Sequence, residues 1–298
     1  INGIVDVYTS KTTDLLMAQS IPTLTGYART YANVGKTKNF GYDLTFNFVP
    51  VRTKDFEWNI GVNAAYSRNE IVSLANGKED DPANGWFIGE STNSIYTYES
   101  AGLWKEEDRA DMEKFNANGH DFQIGMARPV DQNGDYKIDA NNDRTIVGHY
   151  DPRWTLGLNT NFTYKGWDLG IQLYGRMGFK YYDSSVWVGG RYNVRDYDYY
   201  NENNKNAAHP KPIYDEGGKD AYYNETYLKN GSYLKIRNIS LGYTFPNRLL
   251  THTGLSALRM YAQIKNPGYI FSGCKTLDLD TYSNTYNSGF TFGLNLSF

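Results

Sequence analysis

Residues 153–174 read RWTLGLNTNFTYKGWDLGIQLY, and this stretch decides the fold class. Apolar residues alternate with polar or small ones on both sides of the Lys165-Gly166 pair. The apolar set is Trp154, Leu156, Leu158, Phe162 and Tyr164, followed by Trp167, Leu169, Ile171 and Leu173. A period of two is typical of β-strands with one apolar face, and Gly favours a turn. The stretch therefore predicts two antiparallel strands joined by a tight turn.

The same alternation recurs along the chain. It predicts eight strands, at residues 2–8, 38–49, 55–71, 153–164, 166–180, 233–245, 257–270 and 289–298. A soluble sandwich would turn the apolar face towards a packed core, whereas an outer-membrane barrel would turn it towards lipid. Most of these strands reach the length of about ten residues that crosses a bilayer, while sandwich strands usually have about five or six. The strand length therefore favours the barrel.

The connections between these strands alternate between long and short. The long ones are residues 9–37, 72–152, 181–232 and 271–288, and the short ones are residues 50–54, the turn at Lys165, and residues 246–256. Barrels place short turns on the periplasmic side and long loops outside the cell. The sequence thus predicts an all-β fold, an antiparallel transmembrane β-barrel segment with long extracellular loops. A short surface helix is predicted at residues 105–118, ending near Gly119.

Composition excludes several classes of function. The 30 basic and 33 acidic residues give a net charge of −3, so nothing indicates a nucleic-acid partner. The single cysteine, Cys274, allows neither an internal disulfide nor a cysteine-based zinc site. The common hydrolase, nucleotide-binding and zinc-protease motifs do not occur, and the four histidines lack metal-ligand spacing. The sequence therefore predicts that the protein is not an enzyme.

One acidic stretch matches a calcium-binding loop. The predicted ligands are the side chains of Asp131, Asn133, Asp135, Asp139 and Asp143, with the backbone carbonyl of Lys137. Two departures from the pattern are Tyr136, where glycine is expected, and Asn142, where a bidentate glutamate is expected. The alternative is a turn rich in Asp and Asn that binds no metal. Calcium is the cofactor that the sequence suggests.

A second candidate site is aromatic and lies in the third long connection. Its residues are Trp187, Tyr192, Tyr197, Tyr199 and Tyr200, interleaved with Arg and Asp. Flat rings can stack on the C–H faces of sugars, which predicts substrate binding. The same composition suits a protein interface or the internal packing of a long loop, and these alternatives stay open.

Alternation also assigns side chains to the two faces of the predicted sheet. The lipid-facing set includes Leu44, Phe46, Leu158, Ile171, Leu241 and Leu294. The set facing the lumen includes Asn59, Asn63, Asn159, Asn161, Gln172 and Arg176. We expect the second set mainly to form a hydrated polar lining inside the barrel.

Several motifs resemble those of a known family. They are VDVY at 5–8, TDLL at 13–16, NVG at 33–35, NFG at 39–41, DQNGD at 131–135, DPR at 151–153 and YLKIRNISLGYTFP at 233–246. Together they resemble the C-terminal part of the SusC/RagA family of TonB-dependent outer-membrane transporters. The terminal Phe298, with apolar residues at alternate positions before it, resembles the signal that barrel-assembly machinery recognises.

The resemblance implies a larger protein. Residues 1–298 would supply about eight strands of a 22-stranded barrel, with the plug domain and the earlier strands absent from this chain. The complete transporter would lie in the outer membrane of a Gram-negative bacterium, surrounded by lipid, and import oligosaccharides, glycans or peptides. A SusD-like surface lipoprotein would form its lid, and the TonB complex would act through the plug. A soluble β-rich carbohydrate-binding or hydrolytic module and a passive porin remain as alternatives.

Overall fold

The computed structural model describes residues 1–21, 24, 26–27, 29–75, 77–183, 198–212, 220–251, 254–274, 278–281 and 286–298. The chain forms two compact units. The first comprises Ile1–Glu79, Pro152–Phe179 and Gly231–Phe298, and the second comprises Asp80–Asp151 and Lys180–Asn230. The first unit contains the long strands, and the second is built from long connections between them.

The described ranges contain fourteen β-strands and one α-helix. The strands are β1 (Asn2–Ser20), β2 (Arg29–Arg52), β3 (Phe56–Ser73), β4 (Ser94–Tyr98), β5 (Ser100–Leu103), β6 (Ala127–Pro129), β7 (Arg144–His149), β8 (Trp154–Tyr164), β9 (Trp167–Met177), β10 (Lys180–Tyr182), β11 (Leu228–Asn230), β12 (Tyr233–Thr244), β13 (Ala257–Ser272) and β14 (Gly289–Ser297). The helix is α1 (Arg109–Ala117), and short 3-10 turns lie at Glu106–Asp108, Tyr223–Tyr227 and Asn247–Leu249. None of the helices in the described part of the chain is long and apolar enough to cross a membrane.

The first unit is one eight-stranded antiparallel sheet within the residues described. Its strand order is β1-β2-β3-β8-β9-β12-β13-β14, so strands adjacent in the chain within this unit are also adjacent in the sheet. The predicted turn after β8 is confirmed, because Lys165 and Gly166 take φ values of 46° and 90°. Two positive φ angles in a two-residue connection match the right-handed twist of a hairpin. All eight predicted strands are present.

The prediction of a long loop at residues 9–37 is wrong. β1 and β2 stay paired as far as Ser20 opposite Arg29, so the connection is limited to residues 21–28. A bulge interrupts the ladder between Thr12 and Leu15, where Asp14 takes a φ of 58°. Residues 9–14 and 29–39 contain several threonines, which favour strands, but they lack the apolar alternation on which the prediction depended.

Two clusters of aromatic rings mark the limits of the apolar face of the sheet. Tyr42 stacks on Tyr66 at a centroid distance of 5.1 Å, and both rings contact Trp154 at the start of β8. Near the opposite end of the same strands, Trp58 stacks on Phe162 at 5.4 Å. The 11-residue β8 spans roughly 34 Å at ~3.4 Å per residue, or about 26 Å at a tilt of ~40°. This length matches the lipid-facing band of about 25 Å in outer-membrane barrels.

The predicted lipid-facing side chains do not lie in a dry core. Phe46, Leu241 and Leu294 are 38%, 46% and 59% exposed, and Leu44, Leu158 and Ile171 are partly exposed. A soluble sandwich would bury these side chains between two sheets. The apolar face of this sheet is instead uncovered, which favours the barrel over the sandwich.

The second unit contains three two-stranded ladders, β4 with β7, β5 with β6, and β10 with β11, among its described residues. Its buried apolar cluster consists of Trp104, Met112, Phe115, Phe122, Met126 and Ile138. The predicted helix is confirmed as a 3-10 turn followed by α1. Met112 and Phe115 lie three residues apart on one face of α1 and pack into this cluster. Gly119 follows the helix with a φ of 100°.

Candidate functional site

The polar face of the sheet carries an open cavity of about 390 Å³. Its polar lining includes Asp43, Asn63, Asn159, Gln172, Tyr174 and Arg237. Three of the predicted lumen-facing residues, Asn63, Asn159 and Gln172, therefore lie in one lining. Small residues at the centre, such as Ala65 and Gly157, keep the surface open between these side chains.

The other three predicted lumen-facing residues lie beside this cavity. Asn59 and Asn161 are directly opposite each other in the β3–β8 ladder. Arg176 donates a hydrogen bond from Nε to the hydroxyl of Tyr174, at 2.9 Å. The structure thus brings the six residues onto one polar face, as alternation predicted.

A fully buried lysine lies on the same sheet. Lys235 of β12 is 0% exposed, and its Nζ lies 3.0 Å from Asp280 and 3.4 Å from Asp278. Both aspartates belong to the described segment 278–281 between β13 and β14. The tyrosine hydroxyl of Tyr269 donates a further hydrogen bond to Asp278. These ion pairs hold the segment against the sheet.

Arg237 is the second cation of this cluster. Its Nη2 donates to both carboxylate oxygens of Asp280, at 2.8 and 3.1 Å. Its guanidinium lies 3.6 Å from the ring centroid of Tyr174. Ile236 and Asn238 pair with the consecutive residues Leu173 and Gln172 of β9, so Arg237 is the extra residue of a β-bulge against that strand. A bulge re-aims a side chain, and here Arg237 joins Lys235 at Asp280.

The two aspartates stay ionised although they are buried. Burial alone would raise the pKa of each carboxyl. Burial is the largest single influence on each carboxyl, but the hydrogen bonds and charges around them together outweigh it. At Asp278 these come mainly from Tyr269 and Lys235, and at Asp280 from Arg237 and Lys235. The pKa of each aspartate therefore lies below its ordinary value. Sequence reasoning missed this cluster because Lys235 and Asp278 are 43 residues apart in the chain.

The aromatic candidates are only partly described. Trp187, Tyr192 and Tyr197 lie outside the described residues. Tyr199 and Tyr200 belong to a loop in which the backbone N–H of Tyr200 donates to the carbonyl of His209 at 3.0 Å. The Tyr200 ring covers Gly125, where a methyl group would collide with it. Tyr200 thus contributes to internal packing of the second unit, and substrate binding by these aromatics stays a prediction.

Backbone N–H groups of the acidic loop donate hydrogen bonds to aspartate side chains of the same loop. Asp131 accepts the N–H groups of Gly134 and Tyr136, at 2.7 and 2.8 Å, and the buried Asp143 accepts those of Gln132 and Asp139. Tyr136 takes the left-handed φ of 61° at the position where calcium loops carry glycine. The remaining predicted ligands are Asn133, Asp135, Lys137 and Asp139. No three acidic, histidine or cysteine side chains are grouped for a metal in the described part of the chain. Calcium binding stays a prediction.

Two carboxyl groups in the second unit, the buried Asp220 and the half-buried Glu225, have no counterpart among the predicted sites. Glu225 accepts a hydrogen bond from Thr97 Oγ1 at 2.7 Å, while its Oε2 is buried with no hydrogen-bond partner among the described residues. Asp220 accepts the backbone N–H groups of Ala127 and Tyr222, at 2.8 and 3.3 Å. Burial raises the pKa of both carboxyl groups.

We expect the second unit to open more readily as the pH rises. The pKa of Glu225 in the folded chain lies above its ordinary value of 4.5, so its stabilising contribution is complete below pH 4.5 and is lost as pH rises through the folded pKa. Hydrogen exchange of β4, corrected for intrinsic pH dependence, should therefore be faster at pH 8 than at pH 5. Glu225→Gln should remove much of this difference.

Glu106→Gln is the control, because Glu106 is exposed and its pKa is lowered by Arg109. Equal pH slopes in the wild type and Glu225→Gln would contradict the expectation.

Comparisons with known proteins agree with this geometry. No family model matches the chain. TonB-dependent receptor SusC of Bacteroides thetaiotaomicron is 28% identical over 321 residues, covering 100% of this chain and 30% of that protein. TonB-dependent receptor P3 of Formosa agariphila is 27% identical over 325 residues, covering 98% of this chain and 32% of that protein. A solved structure of the RagAB peptide transporter matches with a TM-score of 0.74 at 25% identity, covering 99% of this chain and 33% of that one.

The chain resembles the C-terminal part of a SusC/RagA-type barrel. Its sequence and its fold lead to the same conclusion, because similarity extends over nearly the whole chain in both comparisons. The predicted resemblance and the predicted class of fold, an antiparallel barrel portion, are confirmed. The chain spans about a third of the length of the curated relatives that it matches.

Proposed function

We propose that this chain forms part of the wall of an outer-membrane TonB-dependent transporter that imports nutrients. The single observation that carries the proposal is the two-faced sheet. One face is apolar, uncovered and limited by aromatic clusters, and the other is polar and carries a cavity. A lipid-facing wall around a polar passage has this arrangement. The similarity to a TonB-dependent receptor and to a peptide transporter supports the same function.

The proposal extends to the parts that a complete transporter needs. Residues 1–298 would be the C-terminal portion of the barrel, and a plug domain together with the earlier strands would complete it. The long connections would lie outside the cell and meet a SusD-like lipoprotein lid, and the TonB complex would act on the plug. The transported substrate would be an oligosaccharide, a glycan or a peptide.

Uptake into cells tests this function. Cells that express the full-length protein should accumulate a labelled glycan or peptide, and inactivation of TonB should abolish the accumulation. A passive porin would continue to admit the solute without TonB, because diffusion requires no energy coupling. A soluble module would be recovered from cells without detergent and would support no uptake. Either result would overturn the proposal.

Isolation of the full-length protein in mild detergent tests the lid. A stable lipoprotein partner should co-purify and bury at least ~1,000 Å² in total, the size expected of a specific interface. Recovery of the transporter as a single polypeptide with ordered, self-contained loops would refute the lid.

A further inference from the structure

Part of the polar face of the sheet is dry. Tyr233 and Lys235 of β12 are both 0% exposed. Lys235 lies directly opposite Tyr174 of β9, which lines the cavity. Residues directly opposite each other in an antiparallel pair have their side chains on the same face of the sheet. Lys235 therefore points to the polar face, where the lumen of a barrel would hydrate it, yet it is covered.

The segment 278–281 provides the cover. Asp280 accepts a hydrogen bond from the hydroxyl of Tyr233 at 3.3 Å and forms an ion pair with Lys235 at 3.0 Å. The Nζ of Lys235 also lies 3.4 Å from Asp278. Both aspartates thus bind side chains that point outward from the polar face, so the segment lies over that face.

The segment is a compact turn. The backbone N–H of Asp280 donates to the carboxylate of Asp278 at 3.1 Å, and the N–H of Thr281 donates to the carbonyl of Asp278 at 3.2 Å. Leu279 is 0% exposed and Asp278 is 3% exposed, whereas Thr281 is exposed. One side of the turn is therefore packed, and Thr281 lies on its open side.

The turn lies beside the cavity, towards the end of the sheet that the proposed barrel places nearer the cell exterior. Tyr233 at the start of β12 is paired with Ser272 at the end of β13, and both strands are joined there to long connections. Barrels place long connections outside the cell. Arg237 links the turn to the cavity, because it donates to Asp280 and lines the cavity.

We infer that the segment 278–281 narrows the passage of the proposed transporter and so limits the width of the ligand that it admits. A layer of chain packed on a sheet lies about 10 Å above it, as stacked sheets do, so the turn takes up space in the lumen beside the cavity. The buried ion pairs with Lys235 keep it there. This inference rests on the proposed transport function.

Two variants with opposite expected effects separate this role from simple anchoring. Replacing residues 278–281 with Gly-Ser-Gly-Ser keeps the chain length but removes both carboxylates and the buried leucine, so the segment should leave the sheet and widen the passage. Thr281→Trp adds bulk on the open side of the intact turn, so it should narrow the passage. Anchoring alone predicts no change in the width limit for Thr281→Trp.

Uptake by cells that express the full-length protein measures the width limit. The probes are maltoheptaose and hepta-alanine, each carrying either a small azide or a bulky rhodamine group. The ratio of TonB-dependent uptake of the rhodamine form to that of the azide form reports the width limit independently of expression level. The Gly-Ser-Gly-Ser replacement should raise this ratio at least roughly tenfold, which corresponds to a barrier lower by about 1.4 kcal/mol, and Thr281→Trp should lower the ratio.

Thr251→Trp is the matched control. Thr251 is also exposed, but it belongs to the short connection after β12, at the opposite end of the sheet. This variant should keep the wild-type ratio. An unchanged ratio in Thr281→Trp, or an equal change in Thr251→Trp, would overturn the inference and leave the transport function in place. If the Gly-Ser-Gly-Ser replacement fails to accumulate as folded protein, Thr281→Trp decides by itself.

Acetylation of lysines in the purified full-length protein tests the cover without transport. N-hydroxysuccinimidyl acetate should modify the exposed Lys265 of β13 and leave Lys235 unmodified, and the Gly-Ser-Gly-Ser replacement should make Lys235 reactive. Equal modification of the two lysines in the wild type would overturn the inference. Protection of Lys235 without TonB-dependent uptake of either probe would overturn the proposed function and leave the cover over the sheet in place.

Discussion

Replacing Lys235 with alanine is expected to destabilise the sheet by about 3–5 kcal/mol, the usual effect of removing one partner from a buried ion pair. The Lys235 side chain is 1% exposed, and its partners Asp278 and Asp280 are 3% and 12% exposed. The substitution leaves Asp278 without a cation in a position that water scarcely reaches. The cost arises from this uncompensated charge, since an intact buried pair can contribute little net stability. Denaturant unfolding of the full-length protein in detergent measures the difference.

An exposed pair on the same sheet provides the control. Lys38 lies 3.9 Å from Glu70, and the two side chains are 48% and 33% exposed. Such pairs contribute about 0–1 kcal/mol, so Lys38→Ala should change stability little. Adding Asp278→Asn to Lys235→Ala should recover part of the loss, because it removes the stranded charge. Equal effects of Lys235→Ala and Lys38→Ala would show that Lys235 does not hold the segment against the sheet.

The strands were predictable because each alternates over its own sequence. A period of two needs no knowledge of the rest of the chain, and the register of the sheet then follows from neighbouring strands. Alternation does not mark the strands at residues 9–20 and 29–37, where β1 and β2 continue past the level of Tyr42 and its aromatic cluster. Beyond that level the side chains are mostly polar on both faces, so no alternation marks the strand although its backbone ladder continues.

The candidate sites were less predictable because they depend on contacts between distant residues. Lys235 meets Asp278 across 43 residues, and Glu225 meets Thr97 across 128. Local composition carries no sign of either pairing. The bulge that adds Arg237 to the cluster does leave a sign in the sequence, because the apolar positions shift from Leu234 and Ile236 to Ile239 and Leu241. That shift does not show which residues Arg237 contacts. The aromatic and acidic runs were the more conspicuous features of the sequence. In the structure the Tyr200 ring packs on Gly125, and Asp131 accepts hydrogen bonds within its own loop.

The assignment of the apolar face to lipid predicts a second large loss of stability, caused by placing a charge on that face. Leu158 lies near the middle of β8, opposite Val62 on one side and Leu173 on the other, so three apolar side chains share this part of the apolar face. In the proposed barrel this position lies close to the bilayer midplane. An arginine there should cost about 2–4 kcal/mol, because the hydrocarbon around it offers a charge neither water nor a partner. Unfolding of the full-length protein from lipid bilayers measures this cost.

The neighbouring residue is the matched control for Leu158→Arg. Asn159 follows Leu158 in the same strand and points to the polar face, where it lines the cavity. Asn159→Arg places the same charge at nearly the same depth, but on a surface wetted by the lumen, so it should cost much less. Equal losses of stability in the two variants would show that the arginine at position 158 does not face lipid. If Asn159→Arg were the more damaging, the assignment of the two faces to lipid and lumen would be reversed, because the two positions lie at nearly the same depth and differ chiefly in the side of the sheet on which the charge emerges.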